Sequence, residues 1–283
     1  MSDFLFTFQF VLVPFFVLSV FATILPAVGS ALYMRNEVML AIALPPLTGA
    51  ALTLGVALGL SPENHIALIT FSFIVAFVVV SILGSIRVSR IKRQIILASL
   101  FAGGSVMTHL LMSISTQAHN HLSFLLTGEL LSLGMWQLIQ TAFLCLSVWV
   151  LLLFFKNAVF SYCIDEELMR LRTVHFSLFT ILYRIIITVL ISASVLFIGP
   201  LLTSALLIFP ALLSDTGKSS ISIFFLIAVV MGLTGSITGF IAGVAADIPP
   251  AYSASVAIVV LGMVLRTGVV GVGYVKGRRS QRP

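Results

Sequence analysis

The chain has 283 residues, of which 60% are hydrophobic and 8% are Asp, Glu, Lys or Arg, against roughly 25% charged in an ordinary soluble domain. A soluble globule of 30.5 kDa has too much surface for so apolar a composition to be hidden from water, so lipid is its principal solvent. Fifteen Lys plus Arg against nine Asp plus Glu, a net charge of +6, do not signal nucleic acid, because the basic residues fall between apolar runs and read as topology signals.

The N-terminus, Met1-Ser2-Asp3-Phe4, has no basic n-region, and no small-residue cleavage site follows the first apolar run, so a removable signal peptide is not expected. Residues 10–33, 38–60, 66–86, 94–114, 136–155, 176–198, 221–245 and 252–275 are each apolar and long enough to cross about 30 Å of hydrocarbon, which takes roughly 20 helical residues. A ninth stretch, 201–213, is shorter and is framed by Gly199-Pro200 and Pro210, which suits a half-helix or a short crossing. Another short one, 122–133, precedes Gly134. The expected fold is all-α, a polytopic transmembrane helical bundle of eight to nine spans with proline-broken helices. With no polar stretch longer than 156–175, the chain reads as a single membrane domain over 1–283.

The basic residues orient the spans. Arg87, Arg90, Lys92 and Arg93 fill one loop, Lys156, Arg170 and Arg172 another, and Lys276, Arg278, Arg279 and Arg282 the tail at 276–283; these sides are expected to be cytoplasmic. Segments 61–65, 115–121 and 246–250 then lie outside, and none of them contains Lys or Arg. Alternation requires 201–213 to cross, giving nine crossings with the N-terminus outside.

Candidate chemistry is sparse. Asp215-Thr216-Gly217-Lys218-Ser219 ends like a phosphate-binding loop, but Leu212 stands where its first Gly is needed and no strand precedes it, so nucleotide binding is rejected. Active transport would then need an ion gradient or a separate motor subunit. The ionisable residues within or at the edge of the apolar runs are His109, Glu129, Arg184, Arg266 and Asp247. Arg184 and Arg266 read as snorkelling or paired side chains, and His109 as a hydrogen-bonded core residue. Glu129, after Thr127-Gly128, suits either a water-lined cavity or a structural pair. His119 and His121, with His65 and His109, are weak imidazole candidates for a divalent metal, and a solvated loop is the plainer reading of His119-Asn120-His121. No paired carboxylates and no His-Glu-x-x-His support a hydrolase. Cys145 and Cys163 are eighteen positions apart, one in an apolar run and one in a polar loop, a span on the order of 27 Å even as a helix and too far for a disulfide.

The loop at 156–175 carries the most polar information. Asp165, Glu166 and Glu167 precede Arg170 and Arg172, so a short helix there has acids at its N-terminus and bases at its C-terminus, as the macrodipole favours. That order suits a docking element for a soluble partner, the alternative being a connector on the membrane surface.

Taken together, four segments in order resemble the membrane permeases of ATP-binding-cassette importers for zinc, manganese and iron. They are Phe124-Leu125-Leu126-Thr127-Gly128-Glu129-Leu130-Leu131-Ser132, the Asp165-Glu166-Glu167 loop, Gly199-Pro200-Leu201-Leu202-Thr203-Ser204-Ala205-Leu206-Leu207-Ile208-Phe209-Pro210-Ala211, and Asp247-Ile248-Pro249-Pro250-Ala251. The likeness runs from about residue 29 to 260. It implies a permease in the inner, cytoplasmic membrane that pairs with a second permease copy, receives cargo from an extracytoplasmic solute-binding protein and binds no cofactor. ATP would be hydrolysed by a separate subunit docked through Asp165, Glu166, Glu167, Leu168, Arg170 and Arg172. Glu129, Asp247 and the breaks at Gly199, Pro200 and Pro210 are the residues it points to for the path or its gating.

One departure bears on cargo. The family's second helix carries an Asp and a His four residues apart, and registering on Leu47-Thr48-Gly49 puts Leu40 and Leu44 at those places. Glu37, one turn earlier, reads as half of a surface ion pair with Arg35. A divalent metal is the expected cargo; the alternatives are a non-metal cargo on the same architecture and a gradient-driven secondary transporter.

Overall fold

The computed structural model describes residues 2–62, 64–85, 89–114, 133–164, 169, 176–215 and 220–279. Ten helices are seen among them: α1 (Ser2–Met34), α2 (Val38–Ala57), α3 (His65–Ser85), α4 (Arg90–Ile114), α5 (Met135–Phe154), α6 (Lys156–Ile164), α7 (Phe176–Ile198), α8 (Pro200–Ser214), α9 (Ile221–Ala245) and α10 (Pro250–Arg279). Eight are long and apolar enough to cross a membrane, and α8, at 15 residues, is the shorter apolar helix expected at 201–213. Of the 122–133 stretch, Leu133 alone is described, and it is buried.

The core is built on α1, α2, α7 and α8. Phe21, Leu25, Leu44, Leu52, Leu190, Leu196, Phe197 and Leu206 are almost wholly enclosed, and the half of α7 from Ile187 to Ile198 is buried on nearly every side. By contrast α3, α4 and α5 turn apolar side chains outward, among them Ile74, Val78, Val106, Trp136, Phe143 and Leu146, as helices solvated by lipid do. Two glycines let helix backbones approach where water cannot drive association. A methyl group at Gly29 of α1 would overlap the Leu207 carbonyl of α8, and one at Gly239 of α9 would overlap the Ala254 backbone of α10.

The prolines act differently from expectation. Pro45 and Pro46 lie inside α2, and Pro210 lies inside α8 rather than at its end; only Gly199-Pro200 and Pro249-Pro250 fall at helix starts. Pro tolerates a helix interior here because neighbouring helices replace the lost backbone contacts. The basic tail also differs, since residues 276–279 prolong α10.

The side-chain contacts fix the direction of α8. Its C-terminal neighbour Asp215 accepts a hydrogen bond from Tyr33 Oη at 2.7 Å, and Leu212 O accepts one from Arg266 at 3.2 Å. Its N-terminal Pro200 lies 3.9 Å from the Cβ position of Gly49, and Phe197, just before it, packs on His65 at the start of α3 with ring centroids 5.9 Å apart. Thus α8 runs back from the His65 end toward the Arg35 end, about 22 Å at 1.5 Å per residue.

Candidate functional site

The densest polar cluster among the described residues forms where α1 turns into α2. Asn36 takes a left-handed conformation, φ 57°, and the turn closes with Glu37 N–H donating to Leu32 O and Asn36 N–H to Tyr33 O, both at 2.9 Å. This is a Schellman cap, which suits Asn because its short polar side chain tolerates positive φ. The cap fixes Arg35 and Glu37 on either side of it. Arg35 bonds Glu37 at 3.3 Å, and Arg93 from the first turn of α4 reaches the same carboxylate oxygen at 3.4 Å.

This is not the surface ion pair expected for Arg35 and Glu37. Their side chains are 8% and 15% exposed, and only Arg93, at 38%, reaches well into solvent. The reason is Tyr162 of α6, 127 residues away along the chain, whose carbonyl accepts from Arg35 Nη1 at 3.2 Å. The guanidinium carbon also stands 3.6 Å from the centre of the Tyr162 ring and 5.7 Å from that of Tyr183, a stacked cation–π arrangement open to Arg. Burial opposes the Arg35 charge, but Glu37 and the two tyrosines outweigh it and hold its pKa above the ordinary value.

Below the cluster lies a cavity of about 20 Å³ bounded by Leu40, Leu44, Val80 and Ile187 and roofed by Arg35 and Glu37, room for about one water. Leu40 and Leu44 are 7% and 2% exposed. The positions at which the family carries its Asp and His are therefore apolar walls inside the bundle. Arg184 also lines this cavity, and its guanidinium lies across Gly84 of α3, where any Cβ would collide with it.

α6 is an element that sequence reasoning missed. Lys156 and Asn157 at its start disguised it as loop, yet Val159, Tyr162 and Cys163 are buried. Tyr162 meets Phe176, Phe179 and Tyr183 edge to face at 5.3–5.8 Å. Cys163, expected in a polar loop, instead points its Sγ at Ala31 O, 3.7 Å away; burial first, with Glu37 adding and Arg35 opposing, pushes its pKa up to about 12. Both cysteines are free thiols. The only signal in the sequence was the apolar spacing of Val159, Tyr162 and Cys163.

At the opposite end Gly199 is buried and Pro200 half-buried, and the next residue, Leu201, is exposed. Gly199 has φ 82° and ψ 160°, a region open essentially to Gly alone. Its carbonyl accepts both Thr203 N–H at 3.1 Å and Thr203 Oγ1 at 2.7 Å, so both lone pairs are used within the turn. Asp247 is exposed and left-handed, φ 56°, at a second helix end in which Ile248 N–H donates back to Gly243 O at 2.9 Å. His65 contacts Gln137 at 3.2 Å. His109, expected in the core, is exposed on α4, whose buried positions near it are Gly104 and Thr108, so no apolar stripe marks its inner face. Glu129, His119, His121, Asp165, Glu166, Glu167, Leu168, Arg170 and Arg172 lie outside the described residues; of the expected docking helix, Met169 alone is described, helical and buried.

Among the described residues no three His, Cys, Asp or Glu side chains converge as a metal site would require. What is assembled is a charge cluster that ties together the α1–α2 turn, the start of α4, α6 and α7 at one end of a membrane bundle.

A polytopic bundle of apolar helices with a short helix folded back inside it defines an integral membrane protein. The chain belongs to the ABC 3 transport family, which matches residues 7–270. Its fold is similar to that of PsaBC from Streptococcus pneumoniae, solved in complex with a Fab, with a TM-score of 0.76 over 93% of each chain at 18% identity. It is also similar to a transporter assigned to the metal-chelate ABC type and solved in an inward-facing conformation, with a TM-score of 0.61 over 93% of this chain and 85% of that one, at 16% identity. Among curated proteins, none matches the sequence.

Proposed function

We propose that this chain is the permease subunit of an ATP-binding-cassette importer of the cytoplasmic membrane, carrying a divalent metal ion such as zinc, manganese or iron inward. It works as a pair of identical permeases. An ATPase subunit docks through the 156–175 segment, and an extracytoplasmic solute-binding protein delivers the cargo. The observation that carries the reading is the family match over 7–270. Its mechanism is alternating access, in which ATP binding by the partner favours one of two arrangements of the bundle and hydrolysis restores the other. α6 leads directly into the acidic run at Asp165 to Glu167, so the Arg35 cluster lies on the cytoplasmic side in this reading.

Cargo is measured directly as total cellular zinc, manganese and iron in chelator-limited cells, with the gene deleted and then restored. Loss of one metal that returns on restoration supports metal import and names the ion. No change in any of the three, with the protein expressed, favours the second reading, a non-metal cargo, to which the buried apolar pair Leu40 and Leu44 lends support. Docking is tested by reversing Glu166 and Glu167 to Lys: the permease is expected to lose its ATPase in a pulldown, and undiminished association refutes that assignment.

A further inference from the structure

We infer that Arg35 is a positioning residue that transmits movement of α6 to α2, by holding Tyr162 on one side while sharing Glu37 with Arg93 on the other. The inference rests on the reading of the chain as a permease driven by a docked ATPase.

Consider first how α6 is attached. Its buried side chains pack on α1, through Ala31 and Met34, and on α7, through Phe179, while Phe160 meets Phe225 of α9 with ring centroids 5.3 Å apart. Among the described residues, the polar link from α6 to the start of α2 runs through Arg35, which donates to the Tyr162 carbonyl and lies on its ring. Arg35 and Glu37 are in turn locked to α1 and α2 by the Schellman cap between them. A shift of α6 therefore pulls on a rigid turn, and α2 starts at Val38, one residue beyond Glu37. Leu40 and Leu44, on the first turns of α2, wall the cavity beneath. Displacement of this turn is displacement of the apolar wall at the register where the family places cargo ligands.

Next consider why the cluster can switch. Charge-assisted N–H···O bonds close to about 2.7–2.9 Å at their optimum, yet Arg35 and Arg93 stand 3.3 and 3.4 Å from Glu37 Oε1. Arg35 forks onto both carboxylate oxygens, Nη2 on Oε1 at 3.3 Å and Nε on Oε2 at 3.4 Å, and Arg93 of α4 shares Oε1, so every contact is longer than the optimum. The cap carries Arg35 and Glu37 together, whereas Arg93 belongs to α4, so a shift of α6 that moves the turn closes the Glu37–Arg93 contact and the return movement reopens it. Each position keeps the carboxylate paired, which is what lets two arrangements have similar free energy. An apolar cluster of the same volume would be no less stable, but it would have no charged contact to open and close.

The test uses the permease co-expressed and purified with the ATP-binding-cassette ATPase it is proposed to dock, and placed in lipid nanodiscs. The reporter is a cysteine at exposed Ser61 (Ser61→Cys), on the α2–α3 connection at the other end of α2, read by its rate of modification by a membrane-impermeant maleimide. The same complex without Ser61→Cys corrects for the two buried native thiols. The rate is measured without nucleotide and after trapping with ATP and vanadate. Co-purification of the ATPase and a nucleotide response in the otherwise unsubstituted complex test the transporter reading; if either fails, that reading falls. Arg35→Met, which keeps the apolar stem, tests the inference itself. It is expected to leave ATPase association at the unsubstituted level and to bring the ratio of trapped to nucleotide-free rates close to unity, the loss of a coupling on the order of 5–150-fold. Arg35→Lys keeps the charge for Glu37 but lacks the planar face for Tyr162, and is expected to restore part of the response. A full nucleotide response in Arg35→Met refutes the inference. If Arg35→Met does not assemble, a full response in Arg35→Lys refutes it equally, and a reduced one supports it.

Discussion

Replacing Glu37 by Gln would leave two guanidiniums facing each other with the carboxylate between them gone. Arg35 has only 8% of its side-chain surface left to hydrate the charge, and it cannot lose the proton at accessible pH. Breaking a buried pair in this way costs about 3–5 kcal/mol, but Glu37 is 15% and Arg93 38% exposed, so about 2–4 kcal/mol is expected after allowance for solvent screening. Arg35→Met alone is expected to cost less, because Glu37 can close on Arg93. The double variant should therefore fall short of the sum by about 1–3 kcal/mol, the size of coupling that contacting residues show. A triple variant, Arg35→Met with Glu37→Leu and Arg93→Met, is expected to match or exceed the unsubstituted stability, since well-packed apolar replacements of buried ion clusters are neutral or favourable. The assay is equilibrium unfolding in mixed detergent micelles followed by fluorescence, to which Trp149 contributes through its 3.3 Å bond to Thr23 Oγ1 between α5 and α1. A Glu37→Gln cost below about 0.5 kcal/mol, the value of an exposed pair, would refute the description of the cluster as buried.

Gly199→Ala is expected to destabilise by about 1–3 kcal/mol, read as a lower midpoint in the same unfolding assay, because φ 82° with ψ 160° excludes a Cβ. Gly29→Leu should cost at least as much, since the added side chain must push α8 away at Leu207; it is checked by loss of monodispersity on size-exclusion chromatography. With its pKa near 12, Cys163 stays protonated in the folded chain at pH 8, so in a Cys145→Ser background the folded protein is expected to resist maleimide and the denatured protein to react at once. The same shift, from an ordinary value of 9.0, gives stability that is complete below about pH 9 and is lost as pH rises toward 12, because the unfolded thiol ionises first; a Cys163→Ser variant should show a flatter decline over that window in unfolding measured against pH.

The sequence made the helices legible because a membrane span needs about 20 apolar residues whatever it packs against. It also made α8 legible, through the short run between Gly199-Pro200 and Ser214. What it hid was which face of each helix turns inward. The inner face of α4 near His109 is carried by Gly104 and Thr108 rather than by an apolar stripe, so the pattern could not tell burial from exposure, and the residue lies outward. Arg35 and Glu37 read as surface charges because two neighbouring charged residues in a short turn are ordinary at a membrane edge. Their burial depends on Tyr162, more than a hundred positions away, and no local pattern encodes that meeting. α6 was hidden by Lys156 and Asn157, whose polarity marks only its first turn. Asp247 was legible as a boundary, and its left-handed φ makes it the cap of α9.

The brevity of α8 has a consequence for how the protein is made. Fifteen residues are too few to enter a bilayer as an independent span, and a single residue, Gly199, joins them to α7. The pair must therefore insert as a hairpin, with α7 bringing α8 in. The site that receives α8 on one side is already built by then, since α1 and α2 precede it by well over a hundred residues. The other side, formed by α9 and α10, does not yet exist as α8 leaves the ribosome. During synthesis α8 is thus a half-covered segment held at the surface of a partial bundle, and the last two helices close over it. Truncation after Ser214 would strand it there, which makes the C-terminal pair a requirement for assembly as well as for the finished wall.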